Sequence, residues 1–303
     1  MILDILKKSS NLRFCSISLF LLLVVVAEIA LTIVIPEWRK GFYNVLESKE
    51  VAEFYSSMWM FAALMFGLGL VQGLKTWLGR KVSYRVREAW TKISFKAWVK
   101  GSRTAPNSGV AMTSSMQQAT ELYLNISMEI FISLFIVIAL VVVNLGNPGV
   151  LIGSGIYTVV ASAVALIFKT PLISSDTLLQ KAEGSFRDNI VIVGSGEDSH
   201  KFKELLLELT SKYFSYIKVA FYFTMFSRVK GSLTVLVPYL IYGGVYMSGG
   251  MSLGTFMAAV ATFELIVANS TIVLAMYPDL MKARASYKIV DAFYREVIND
   301  KPI

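Results

Sequence analysis

One cysteine and one histidine in 303 residues leave little for redox or metal chemistry. Cys15 stands alone, so neither a disulfide framework nor a CxxC pair can form within the chain, and a Cys/His zinc set lacks its further ligands. His200 lies in a polar stretch with Glu197, Asp198, Ser199 and Lys201 and without a GxSxG or comparable nucleophile context, so a Ser-His-Asp triad is not expected. No GxxxxGK run followed by Ser or Thr occurs, which removes ATP hydrolysis by this chain alone. Gly194-Ser195-Gly196 is followed by Glu197 and Asp198, whose charge repels phosphate, and reads as a flexible turn. The inventory suggests no catalytic residue, no metal and no cofactor, and it points away from an enzyme.

Charge is scarce as well. Charged residues make up 17% of the chain against about 25% in an ordinary soluble domain, hydrophobic residues make up 55%, and the mean hydropathy is +0.60. The net charge of +8 does not suggest nucleic acid, because the basic residues sit between apolar runs rather than on one soluble module.

What is present is a set of apolar stretches long enough to cross a bilayer. They run over about 14–35, 54–78, 126–145, 150–168, 219–247 and 253–276, and predict an all-α membrane protein of six transmembrane helices in a single domain over 1–303. The first is too long for a signal-peptide core and no small-residue cleavage site follows it. Pro36 is expected to close it, with Glu37 to Glu53 as a connector. Turn chemistry marks Gly146-Asn147-Pro148-Gly149 and Ser248-Gly249-Gly250, and Pro278 is expected to end the last span.

Lys and Arg are distributed unevenly. Three lie in the N-terminal tail, nine in Lys75 to Arg103, seven in Lys169 to Lys218 and five after Met276, against only Arg39, Lys40 and Lys49 on the other side. By the positive-inside rule both termini and the two long connections, 79–125 and 169–218, are cytoplasmic. Those connections are rich in helix formers and are broken only near Gly101 to Gly109 and Ile190 to Ser199. At 1.5 Å per residue, such helices would extend the spans roughly 25 Å into the cytoplasm as two helical hairpins.

Ionisable residues inside spans are costly, so each is a functional candidate. Glu28 lies in the first span, Glu129 in the third, Arg228 and Lys230 in the fifth and Glu264 in the sixth. Arg228 can pair with Glu129 or Glu264, or can mark the cytoplasmic end of its span, since Gly231 to Met247 alone just reaches spanning length. Lys230 can snorkel. Glu28 lies too far from either end of its run to snorkel, and burial favours the neutral form of a carboxyl group, so it can load and release a proton.

Ser114, Gln118, Glu121, Asn125, Glu129 and Ser133 recur every three or four residues and share one helix face, which reads as lining a wet cavity; the alternative leaves Glu121 and Asn125 on the cytoplasmic surface. Thr255, Thr262 and Asn269 form a second polar stripe, equally suited to interhelical packing. Acidic residues facing a cavity can bind protons on one side of a membrane and lose them on the other; otherwise they hold helices together or attract cationic cargo.

Six spans, short turns on one side and two long hairpins on the other resemble the half-transporter membrane domain of type-1 ABC exporters. That likeness implies a homodimer, since six helices alone would leave a polar face open to lipid. Ala27-Glu28, Trp38, Phe42-Tyr43 and Glu53-Phe54-Tyr55, then Tyr84-Arg85 and Ala97-Trp98, then Glu183, Phe186-Arg187 and Gly196-Glu197-Asp198 are similar in order to the SbmA/BacA peptide-transporter family. Tyr213-Phe214, Leu253-Gly254 and the closing stretch Ala283 to Phe293 also fit.

The resemblance implies an inner-membrane protein with the exporter type of membrane fold, no nucleotide-binding domain, and proton-coupled import of peptides or peptide-like antibiotics. Known members are longer and carry an additional N-terminal membrane helix. The segment Pro106 to Val110 lacks their Gln-Arg-x-x-Asp pattern, and Met276-Tyr277 stands where they have Trp. The rival reading is a membrane subunit that uses a separate ATPase subunit, docked at Gly101 to Ser108 and Ile190 to Ser199. A third is a peptide-binding immunity or assembly protein.

Overall fold

The computed structural model describes residues 12–100, 115–196 and 199–299, and every regular element among them is helical. In chain order these are α1 (Leu12–Ser48), α2 (Val51–Lys100), α3 (Met116–Val143), α4 (Pro148–Gly196), α5 (Ser199–Met247), α6 (Leu253–Ser270), α7 (Ile272–Ala275) and α8 (Tyr277–Asn299). The expected break at Gly101 to Gly109, the Pro106 to Val110 segment, Ser114, Glu197 and Asp198 fall outside the described residues.

The prolines do not end helices where the sequence suggests. Pro36 lies inside α1, Pro171 inside α4 and Pro238 inside α5. A proline frees the carbonyl one turn earlier, and membrane helices tolerate this because neighbouring helices and hydroxyl side chains satisfy the freed groups. Most of the expected connector Glu37 to Glu53 is therefore helical. The turn contracts to the junction of α1 and α2, where Lys49 takes a left-handed backbone with φ 60°. Likewise α4 continues through Ile190 to Gly196, and Pro278 sits in the first turn of α8, where no N–H is needed. The two predicted glycine turns occur where expected, with Gly249 at φ 75°.

Among the described residues, five helices contain a stretch long and apolar enough to cross a membrane: α1, α2, α3, α4 and α6. The sixth expected span, in α5, is not among them. Its stretch is diluted by Arg228, Lys230, Pro238, Tyr239, Tyr242, Gly243 and Gly244.

Packing divides the chain into two units. The first comprises Met1–Leu151 and Gly244–Ile303. There α1 packs on α2 and α6, and α3 packs on α8, α2, α6 and α1. The core is built from Val24 and Val25 of α1, Ile132, Ile136 and Leu140 of α3, and Val260, Phe263 and Val267 of α6. A smaller cluster of Trp90, Met116 and Val290, with Tyr287 against it, joins α8 to α2 and α3. Ala283, Ser286 and Val290 are the buried stripe of α8, spaced as one face of a helix.

The second unit, Ile152–Gly243, is a hairpin of α4 and α5. The Tyr157 hydroxyl donates to the Lys230 carbonyl at 2.8 Å and accepts from the Thr234 hydroxyl at 3.0 Å, and Phe168 stacks on Phe226 with centroids 4.8 Å apart.

Candidate functional site

Three charged side chains from three helices meet in the first unit. Glu28 comes from the middle of the apolar run of α1, Lys75 from α2 and Glu129 from α3. Lys75 Nζ donates to Glu28 Oε1 at 2.9 Å and to Glu129 Oε1 at 2.8 Å, both charge-assisted hydrogen bonds of short length. The side chains of Glu28 and Lys75 are 8% and 11% exposed, whereas that of Glu129 is 34% exposed. The set is therefore graded, with one carboxylate and the ammonium enclosed and the other carboxylate reachable from outside.

Local sequence makes the approach possible. One turn beyond Lys75 is Gly79, where an added Cβ would meet the Met128 Cε at 3.0 Å. Glycine here lets α3 come close to α2 beside Glu129, so that a lysine can reach both carboxylates.

The charges do not balance. With all three groups ionised, two carboxylates face one ammonium, and an uncompensated charge in a low-dielectric setting is costly. One further positive charge, a proton or a cation, makes the set neutral. Glu28 Oε2 is buried without a hydrogen-bond partner, which leaves an acceptor atom that a proton would convert to a neutral carboxylic acid.

Lys75 is the member that sequence reasoning missed. It stands inside the second apolar stretch, yet its place in the last turn of that stretch groups it with the cytoplasmic basic residues. The available signal was that Trp77 and Leu78 continue the stretch beyond it.

Glu264 of α6 meets a cation of α1. Arg39 Nη1 of α1 donates to Glu264 Oε2 at 3.4 Å, with side-chain exposures of 34% and 28%. Arg228 itself is exposed on α5, where its carbonyl accepts from the Ser232 hydroxyl at 3.3 Å.

The polar face of α3 is divided between several partners. Ser133 is buried, Glu129 holds Lys75, and Gln118 Oε1 accepts from the Ser286 hydroxyl of α8 at 2.9 Å. Glu121 Oε1 accepts from Gln117 at 3.1 Å, and Gln117 in turn accepts from Arg87 of α2 at 2.8 Å. Asn125 is exposed. On α6, Thr262 is buried and Asn269 donates to the Leu265 carbonyl of its own helix at 2.8 Å.

The sequence model of the SbmA/BacA-like family matches residues 11–298, nearly the whole chain. No curated protein matches it.

Proposed function

The chain belongs to the SbmA/BacA-like family, and from that premise we propose that it is a secondary transporter which imports peptides or peptide-like antibiotics across the bacterial inner membrane, driven by the proton gradient. Its family and its apolar helices make it a multi-pass membrane protein of a transporter family. In this reading α5 supplies a sixth crossing, the fold is that of the type-1 ABC exporter membrane domain, both termini are cytoplasmic, and two copies form the working unit.

The observation that carries the reading is the shared lysine. Two carboxylates on different helices, held by one ammonium, form a set whose charge balance changes with a single proton. Glu129 is the entry point because it is partly exposed; Glu28 is the enclosed acceptor. A proton on Glu129 weakens the Lys75 bridge between α2 and α3, and a proton passed on to Glu28 leaves Lys75 and Glu129 as a balanced pair, so the position of the proton and the contact between these helices are linked. A cationic substrate would be drawn to the same excess negative charge.

The test is uptake by the purified protein in liposomes under an inward proton gradient without ATP, with a fluorescent cationic peptide and lumenal pH followed together. The expected result is gradient-dependent uptake with proton movement, lost in Glu28→Gln and Glu129→Gln proteins that fold normally. Unchanged flux in both variants removes the proton role from these residues. Absence of uptake by a folded wild-type dimer turns the assignment toward a separate ATPase subunit.

A further inference from the structure

The contacts between α1 and α6 include more than the Arg39–Glu264 pair. A helix start leaves its first N–H groups without intrahelical partners, and α6 satisfies only part of this need itself: Ser252 Oγ accepts from the Thr255 N–H at 3.2 Å. Two more of these N–H groups are satisfied by α1. Gly254 N–H donates to Asn44 Oδ1 at 3.0 Å, and Leu253 N–H donates to Glu47 Oε2 at 3.1 Å. An added Cβ at Gly254 would collide with the Lys40 carbonyl oxygen and the Asn44 side chain, so the first turn of α6 lies directly against the α1 backbone.

The contact between α1 and α2 at this end is of another kind. Trp38 Nε1 donates to the Ser57 carbonyl at 3.1 Å, Trp38 stacks on Phe61 with centroids 4.4 Å apart, and Phe42 meets Phe54 at 5.8 Å. Aromatic contacts thus bind α1 to α2 as one body. From that body to α3 and α6 cross the polar contacts of the two caps, of Arg39 to Glu264 and of Lys75 to Glu129, beside the apolar core that α1 shares with α3 and α6. Water can replace polar contacts at an opening seam, whereas separating stacked rings exposes apolar surface.

We propose that Asn44 and Glu47 form a releasable clasp on α6, which closes the transport path at the end of the bundle bearing the α1–α2 and α5–α6 turns. Release of the clasp lets the α1–α2 body part from α3 and α6 and opens a way toward Glu129. This rests on the transport reading, and on the charge bias for placing that end outside.

The experiment uses the full chain in liposomes with Cys15→Ser and a reporter cysteine at the buried Val260, labelled from outside by an impermeant maleimide. Loss of both caps in Asn44→Ala/Glu47→Ala is expected to raise the labelling rate about tenfold or more. In a second protein, without the reporter, Glu47→Cys/Leu253→Cys joined by a short reducible bis-thiosulfonate linker is expected to stop cationic peptide uptake, with recovery on reduction. Labelling no faster without the caps, or full uptake with the linker in place, overturns the clasp. Labelling that follows the caps with no uptake by any protein, linked or reduced, leaves the clasp standing and overturns the transport reading.

Discussion

Glu28 and Glu264 both lie in apolar helices and both meet a basic side chain, yet the two meetings differ in every physical respect. Glu28 shares a buried lysine with a second carboxylate at 2.9 and 2.8 Å, so three helices are joined and one negative charge is in excess. Glu264 has one arginine at 3.4 Å, about a third of each side chain is exposed, and the charges cancel. Arg39 lies eleven residues beyond Glu28 on α1, or about 16 Å along a helix. The deep set is short in distance and unbalanced in charge; the shallow pair is longer and balanced. Burial raises the cost of imbalance, so an excess charge weighs on the deep set and not on the shallow pair.

The sharpest way to break this contrast is to remove the shared cation. Lys75→Met leaves two carboxylates facing each other without compensation, and loss of one partner from a buried ion pair costs about 3–5 kcal/mol. Thermal unfolding of the detergent-solubilised protein should show the largest fall for this variant. Adding Glu28→Gln to Lys75→Met removes the enclosed charge and should restore most of the loss. If Lys75→Met unfolds close to wild type, the set is hydrated and the contrast with Arg39–Glu264 disappears.

A smaller effect separates the two carboxylates of the deep set. Glu28→Gln leaves Lys75 and Glu129 as a balanced pair and exchanges a hydrogen bond between two charged groups for one from the ammonium to a neutral amide oxygen, a change of about 1 kcal/mol. Glu129→Gln leaves Lys75 paired with the enclosed Glu28, and the lost group is the more exposed of the two carboxylates. The stability cost should therefore be larger for Glu28→Gln than for Glu129→Gln, while transport is expected to suffer in both. Equal stability for the two variants would mean that the difference in exposure carries no energy.

Much of this could be read from the sequence. The apolar stretches in α1, α2, α3, α4 and α6, the turns at Gly146 and Gly249, and the placement of Glu28, Glu129 and Glu264 within apolar runs all follow from composition and spacing. Local rules failed where the solvent changes them. Pro36 reads as a stop in water but lies inside α1, because backbone groups in a membrane favour continued helix. Lys75 was hidden for another reason. A lysine in the last turn of an apolar run ordinarily snorkels outward, and nothing in the linear order states that α1 and α3 place carboxylates on either side of it. Arg39 was set aside in the same way, as one of the few charges on the sparsely charged side, although its partner is 225 positions away in α6. Pairings of that separation are a property of helix packing, which hydropathy does not encode.

The smallest expected effect belongs to the shallow pair. Arg39→Gln removes one long, partly hydrated contact, for which the stability change should stay within about 1 kcal/mol and shrink further as salt is raised toward 1 M. The deep set should respond far less to the same salt, because the Glu28 and Lys75 side chains are enclosed. Measuring the unfolding temperatures of wild type, Arg39→Gln and Lys75→Met across a salt series therefore compares the two sites on one scale. A steep salt response at Lys75 would show that screening ions reach the deep set; a flat response at Arg39 with a loss of several kcal/mol would make the shallow pair the stronger of the two. The first outcome would make the deep set the more accessible of the two sites, and the second would make the Arg39–Glu264 pair the stronger tie between helices.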